Sequence, residues 1–406
     1  MKRLLCLVMA VMILLTGCGR QGNSTQLSKP EKPTEKRSFS QVENLSENVM
    51  NFSAEIFSHT AGENNSLVSP VSLLYALAMT ANGADGRTLA EFEKLIDTDM
   101  NKLNSYLAAF TTNMPQSPKA KLDMANAIWF RDNGFTANED FLDINRNYYG
   151  AGVYTAPFDD GTVNDMNNFV KDATDGQIDK ILDNIPPSTV MYLLNALSFD
   201  SEWEEKYKKE QIHDGTFTAY DGSIQTVKMM YSQENRYIED ENTTGFTKDY
   251  KGGNYRFVAL LPDENTDIID YVKNLTGEKL TNLLNTQSCT VDVGIPQFES
   301  NYDAEMKDIL TDMGLGSFFD PATADFSKLG SAQYNLYVSS VIHKTTLTLD
   351  DKGTKAAAIT LVSQDEGAAA PPEDLKTVIL DRPFVYMIVE NQTEIPVFIG
   401  TVMTIE

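Results

Sequence analysis

Apolar residues recur at helical spacing through the first third of the chain. Between Phe39 and His59 they fall at Val42, Leu45, Val49 and Phe52, one face of a helix. Ser66 to Thr80 opens on capping-type residues and a proline and continues through Leu73, Leu74, Ala76, Leu77 and Ala78, which predicts a buried helix. Leu89–Ile96 and Leu103–Phe110 predict two shorter helices. The pattern then alternates in kind. Ala125–Arg131 reads as a strand ending in the turn-like Asp132-Asn133-Gly134, Phe141–Tyr149 as a helix, and Gly152–Ala156 as a strand. Met191–Phe199 is a continuous apolar run, as expected of a strand buried on both faces. Residues 216–261 read as short strands and turns, including Asp221-Gly222 and Gly252-Gly253. Helices are predicted over Glu278–Leu284 and Tyr302–Met313. Strands are predicted over Val338–Ile342, Thr345–Leu349, Phe384–Val389 and Val397–Met403.

The most unusual segment is Asp351-Lys352-Gly353-Thr354-Lys355-Ala356-Ala357-Ala358-Ile359-Thr360. It follows a strand-like run and leads into a small, acidic, Pro-rich loop, Val362–Lys376. Alanine packs poorly in strands. Small side chains make sense if the segment is an exposed loop in one state and a buried strand in another. Side chains alternate faces in a strand, so Thr354, Ala356, Ala358 and Thr360 would share one face. Lys355, Ala357, Ile359 and Leu361 would share the other.

The N-terminus adds a targeting signal. Lys2 and Arg3 precede an apolar run, Leu4–Leu15, which is too short to span a bilayer and suits a signal peptide, residues 1–17. The run ends in Leu15-Thr16-Gly17-Cys18, which looks like a bacterial lipobox, with Cys18 as the lipidated N-terminal residue. Residues 19–38 carry Gln, Ser, Thr, Lys and Pro with Leu27 as their one large apolar residue, and with Cys18 they are expected to form a flexible tether over 18–38. The remainder, 39–406, exceeds the usual size of a single core but holds no second linker and no repeat.

Composition excludes several functions. The net charge of −25 argues against nucleic acid and against activation by a polyanion; Lys102, Lys119 and Lys121 are too sparse for a basic patch. Once Cys6 leaves with the signal peptide and Cys18 is lipidated, Cys289 stands alone, so no internal disulfide is expected, and a buried, inert thiol is. There is no Gly-x-Ser-x-Gly elbow, P-loop, His-Glu-x-x-His or Cys-x-x-Cys. No catalytic residues, cofactor or metal site are expected. Of the three histidines, His59 and His213 are expected at the surface.

Five motifs in order give a resemblance. They are Ser69-Pro70-Val71-Ser72 preceded by Asn65, Asn195-Ala196-Leu197-Ser198-Phe199 followed by Trp203, Ile342-His343-Lys344 leading to the Gly353 segment, Arg382-Pro383-Phe384, and Pro396-Val397-Phe398-Ile399-Gly400. Together, from about residue 40 onward, they resemble the serpin family. Thr162–Thr174, with Asn167 and Phe169, resembles the helix that crosses the family's main sheet. The resemblance implies a single α+β domain over 39–406, with a large, mostly antiparallel central sheet, surrounding helices and an exposed reactive loop. It also implies an inhibitor of serine (or cysteine) proteases, acting as a monomeric suicide substrate. Cleavage of the loop leaves the protease as an acyl-enzyme, and the hinge then inserts into the sheet as a new strand.

The resemblance assigns Asp351, Gly353, Thr354, Ala356, Ala357, Ala358 and Thr360 to the hinge. It assigns Asn65, Ser69, Ser72, Asn195 and His343 to a polar shutter under the sheet, and Trp203 to the breach where insertion begins. Asp200-Ser201 and Gln297 depart from the family's commoner residues. Counting forward from Asp351 puts the scissile bond at Gly367–Ala368, whereas counting back from Pro383 gives Pro372–Glu373. The forward count is preferred because the inserting length sets where the protease ends. The small residues from Glu366 to Ala370 suggest elastase-like or subtilisin-like targets. Two other readings stay open: a non-inhibitory binder or decoy of the same fold, and a lipid-anchored solute-binding protein with the same lipobox, tether and acidity. The expected location is outside the cytoplasm, anchored on the bacterial surface or released.

Overall fold

The computed structural model describes residues 23–29, 37–114, 120–354 and 375–405. Its strands in chain order are β1 (Thr25–Ser28), β2 (Ser66–Val68), β3 (Ala120–Arg131), β4 (Thr136–Ala137), β5 (Gly152–Ala156), β6 (Met191–Glu202), β7 (Ile212–Thr218), β8 (Ile224–Glu239), β9 (Thr243–Asp249), β10 (Tyr255–Pro262), β11 (Gln287–Pro296), β12 (Phe298–Glu305), β13 (Gly330–Ser331), β14 (Ser340–Leu349), β15 (Gly353–Thr354), β16 (Lys376–Ile379), β17 (Phe384–Glu390) and β18 (Pro396–Val402). The helices are α1 (Ser46–Ser58), α2 (Pro70–Ala81), α3 (Gly86–Ile96), α4 (Met100–Asn113), α5 (Glu139–Ile144), α6 (Asp160–Ala173), α7 (Ile268–Lys273), α8 (Gly277–Leu284), α9 (Lys307–Asp312) and α10 (Gly316–Phe319).

Two large sheets organise the fold. The first runs β1-β5-β3-β6-β15-β14-β12, and the second runs β16-β11-β8-β9-β10-β17-β18-β2 with β7 added beside β8. The expected α+β class, with a large and mostly antiparallel central sheet, holds: in the first sheet β3–β5 and β6–β14 are the parallel pairs. One apolar layer packs α6 on the outer face of this sheet, with Met166 and Val170 meeting Trp129, Leu194 and Ala196. A second packs α1 and α8 on the other sheet, with Phe57 and Leu280 near Val258 and Met387. The largest lies between the sheets and around α2, all twelve residues of which are buried.

Several expected elements differ. The predicted helix Ser66–Thr80 starts with three residues of strand β2, and α2 follows only at Pro70. Ser69 caps it by accepting from the Ser72 amide, and Pro70 stands at the first turn, where a missing N–H costs nothing. The helix expected over Phe39–His59 divides into a short 3-10 turn, Phe39–Gln41, and α1. The helix expected over Tyr302–Met313 begins only at Lys307. Before it, half-buried Tyr302 and Ala304 alternate with exposed Asn301, Asp303 and Glu305, the two-residue period of a strand, and β12 continues along β14. Val338–Ile342 and Thr345–Leu349 contribute to one strand, β14, because buried His343 does not interrupt it. Cys289 is half-buried rather than fully enclosed.

The tether requires a larger correction. Thr25–Ser28, expected to be flexible, pairs antiparallel with β5 at the edge of the first sheet. Main-chain pairing needs no apolar composition, so an edge strand can be drawn from a polar segment. Leu27 packs on the core, the Asn23 amide donates to Asp159, and the Ser24 hydroxyl donates to Asp165 at 2.7 Å.

Candidate functional site

The site lies along the seam between β6 and β14. These strands pair directly, and in parallel, from Tyr192 and Ser340 up to Leu197 and Thr345. Above that point their pairing stops, and β15 occupies the top of the gap. Gly353 pairs with Glu202, and Thr354 sits between Ser201 of β6 and Leu349 of β14. Thr354, read from sequence as part of a hinge able to be loop or strand, is strand here and fully buried, its hydroxyl 2.5 Å from that of Tyr250. Glycine is required at 353 because a Cβ there would run into the Ser201 carbonyl.

A tight turn delivers this hinge. The Asp350 amide donates to the Gly353 carbonyl, and the Asp350 carboxylate accepts from the Lys352 and Gly353 amides at 2.8 and 3.2 Å. Burial pushes the Asp350 carboxyl above its ordinary range. Trp203 holds the turn from β6: its indole donates to the Asp350 carbonyl at 2.9 Å, and its amide to that of Lys352. The indole stacks on Tyr250 at 4.5 Å with an interplanar angle of 10°. Behind it, the buried Lys248 ammonium bonds Glu234 at 2.6 Å and faces the rings of Tyr207 and Trp203. Such an arrangement satisfies the ammonium without water and braces the indole.

Six residues down the seam, Asn195 and His343 face each other across the strands. His343 Nδ1 donates to the Asn195 side-chain oxygen at 2.7 Å, and Nε2 accepts from the Ser69 amide at 3.1 Å. Both ring nitrogens are thereby committed to the neutral form, and burial holds the imidazole down at about 4. The Asn195 amide donates to Ser72, through both its carbonyl and its hydroxyl, and to Asn126. Two residues up the seam, the Thr345 hydroxyl donates to the Leu67 carbonyl. This polar cluster lies on the seam between β6 and β14, and its members are joined by hydrogen bonds.

Of the shutter residues expected from sequence, the structure brings together Ser69, Ser72, Asn195 and His343, while Asn65 stands apart. Its side chain binds the chain end, accepting from the Met403 and Thr404 amides and donating to the Thr404 carbonyl. Asp351 lies in the turn and accepts from the Tyr207 amide. His59 and His213 are exposed. Cys18, Ala356, Ala357, Ala358, Thr360, Gly367 and Ala368 lie outside the described residues. Sequence reasoning missed Tyr250, Asn126, Lys248 and Glu234, which carry no local motif. The Tyr250–Phe257 region reads only as strand and turn.

The sequence family described as Serpin (serine protease inhibitor) matches residues 47–405. The chain belongs to the serpin family. Members of this family are generally protease inhibitors rather than enzymes. The leukocyte elastase inhibitor of Equus caballus is 30% identical over 383 residues, covering 88% of this serpin and 99% of that protein. The native-state crystal structure of the thermophilic serpin tengpin matches with a TM-score of 0.89 at 44% identity, covering 94% of this chain and 100% of that one. Tengpin in its latent state matches at 0.81, with 43% identity and 92% and 100% coverage. By TM-score this serpin is thus more similar to the native form of tengpin than to the latent one.

Proposed function

We propose that this serpin is a suicide-substrate inhibitor of a serine protease, or of a cysteine protease that forms the same acyl intermediate. The observation that carries the reading is the placement of β15, which begins a strand in the gap between β6 and β14. Its two registers can be carried on from Thr354. Six residues further, Thr360 comes opposite Asn195 on one side and His343 on the other, the two residues that now bond each other. On the way Ala356 and Ala358 follow Thr354 on the inner face, and Lys355 comes beside Asp200 on the outer one, an opposite-charge pair. Every side chain the inner face must admit up to Thr360 is small.

Cleavage in the window Glu366–Ala370 frees the hinge to continue this strand. A strand entering between two others gains ladder bonds on both sides, less those of the β6–β14 pairing that it parts, each worth about 0.5–1.5 kcal/mol net. Over about ten residues that sum is large enough to drag and deform an acylated protease before it deacylates. The small residues of the window favour an elastase-like or subtilisin-like target, with Gly367–Ala368 as the scissile bond. The serpin works as a monomer outside the cytoplasm, carried on the bacterial surface by acyl chains on Cys18 after removal of residues 1–17, or released.

The test is to mix the protein with pancreatic elastase and with subtilisin and to examine the products by denaturing gel and mass spectrometry. A complex stable in SDS, with a released C-terminal peptide beginning within the window, supports the reading. Clean cleavage with both proteases, without complex or inhibition, overturns it in favour of a non-inhibitory substrate.

A further inference from the structure

Three consecutive carbonyls of the hinge turn are held from one short segment. Asp350 accepts from the Trp203 indole at 2.9 Å, Asp351 from the Tyr207 amide at 3.0 Å, and Lys352 from the Trp203 amide at 2.9 Å. Trp203 makes an isolated bridge to Tyr250, and residues 204–208 belong to no helix or strand. The regular ladders therefore leave the position of this segment to its side chains.

Lys248 and Glu234 supply the fixed point. The ladder of β8 and β9 ends at Tyr237 and Phe246. Two residues further along β9, Lys248 reaches back to Glu234 of β8 at 2.6 Å. The ammonium lies 4.7 Å from the centre of the Tyr207 ring and 5.6 Å from that of Trp203. The Glu234 oxygen that it bonds also accepts from the Ser232 hydroxyl at 2.7 Å, which in turn accepts from the Tyr207 hydroxyl at 3.1 Å. The side chains of the pair are 5% and 14% exposed. An ion pair this enclosed adds little net stability, because leaving water offsets the attraction. What it fixes is geometry, since one cation is drawn to two ring faces at once.

We infer that Lys248 and Glu234 are positioning residues for trapping. Through Trp203 and Tyr207 they hold the Asp350–Lys352 turn where it seats Thr354, and so set how often a cleaved loop ends in a covalent complex rather than in release of the protease. This inference rests on the proposed suicide mechanism. Neither residue belongs to the loop that a protease cuts, so the pair acts on the fate of the acyl-enzyme and not on its formation.

The experiment compares the full chain with three variants. Lys248→Met/Glu234→Gln removes both charges and leaves no lone buried ion. Lys248→Arg keeps the cation. Leu280→Ala opens a cavity in the layer on the other sheet and serves as a control for lost stability. Each is mixed with whichever of subtilisin and pancreatic elastase the parent traps. The rate of loop cleavage, the moles of inhibitor consumed per protease trapped, and amide exchange over residues 351–354 are measured. The double variant should be cleaved within twofold of the parent rate, consume at least threefold more inhibitor, and exchange at least tenfold faster. Lys248→Arg should stay within twofold of the parent throughout, and Leu280→Ala should lower the thermal midpoint without changing the stoichiometry. Should the double variant not fold, Glu234→Gln alone is held to the same thresholds. An unchanged stoichiometry overturns the inference. So does a parallel loss of cleavage rate, an equal rise in Leu280→Ala, or a failure of Lys248→Arg to match the parent. The reading underneath fails separately: a parent that forms no covalent complex with either protease removes the inhibitor and this inference with it, whereas a parent that traps protease no better than the double variant removes this inference alone.

Discussion

At the scale of single residues, the shutter histidine gives the clearest prediction. Burial lowers the His343 imidazole from 6.5 to about 4, so between those values the unfolded chain binds a proton that the native one refuses. Its contribution is therefore complete above pH 6.5 and is lost as pH falls toward 4, by roughly 3 kcal/mol in all. Asp350 and Glu55, whose carboxyls burial pushes up, act in the opposite sense. Thermal unfolding followed from pH 7 to pH 4 should show a falling midpoint, and the slope should flatten in His343→Gln; equal slopes would reject the assignment. Thr354→Arg should turn inhibitor into substrate, because a guanidinium cannot be buried unpaired against Tyr250. An unchanged stoichiometry of covalent complex would show that Thr354 need not enter the sheet. Ser69, Ser72, Asn195 and His343 were legible because each stands in a short motif. Tyr250 and Asn126 were not, since their partners lie 104 and 69 residues away and only the folded sheet brings them together.

At the scale of elements, strand period explains most of what was read correctly and most of what was not. Met191–Phe199 was plain as a strand because nearly every residue is apolar. Tyr302–Glu305 was mistaken for helix because its four residues run directly into a real helix, α9. β1 was hidden because an edge strand can be made by main-chain bonds alone. The two-residue β15 was half legible: the composition gave a segment able to be loop or strand, but not that it is already partly strand. Gly353→Ala should expel it, since a methyl meets the Ser201 carbonyl. The loss of its ladder bonds predicts a cost of about 1–3 kcal/mol. Amide exchange over residues 350–356 should rise at least tenfold by mass spectrometry. Unchanged exchange would mean that the backbone shifts to accommodate the methyl and the glycine is dispensable.

At the scale of the whole molecule, β15 enters only the top of the seam, and β6 and β14 pair with each other below it, so the proposed insertion adds a strand. Cleavage within Glu366–Ala370 should raise the thermal midpoint by about 10 °C or more as the new strand enters. A fall or no change on calorimetry would count against insertion. The occupied top of the gap also bears on how fast this happens. Bringing a free chain end to a distant slot costs loop-closure entropy before any contact forms. On the proposed mechanism that cost is met before any cleavage, because Thr354 is already seated between Ser201 and Leu349. On the proposed mechanism the cut loop elongates from an existing nucleus, each residue settling beside the one before. The slow step of that mechanism then passes from finding the slot to parting Asn195 from His343, which would make this pair, and not the Gly353 turn, its clock.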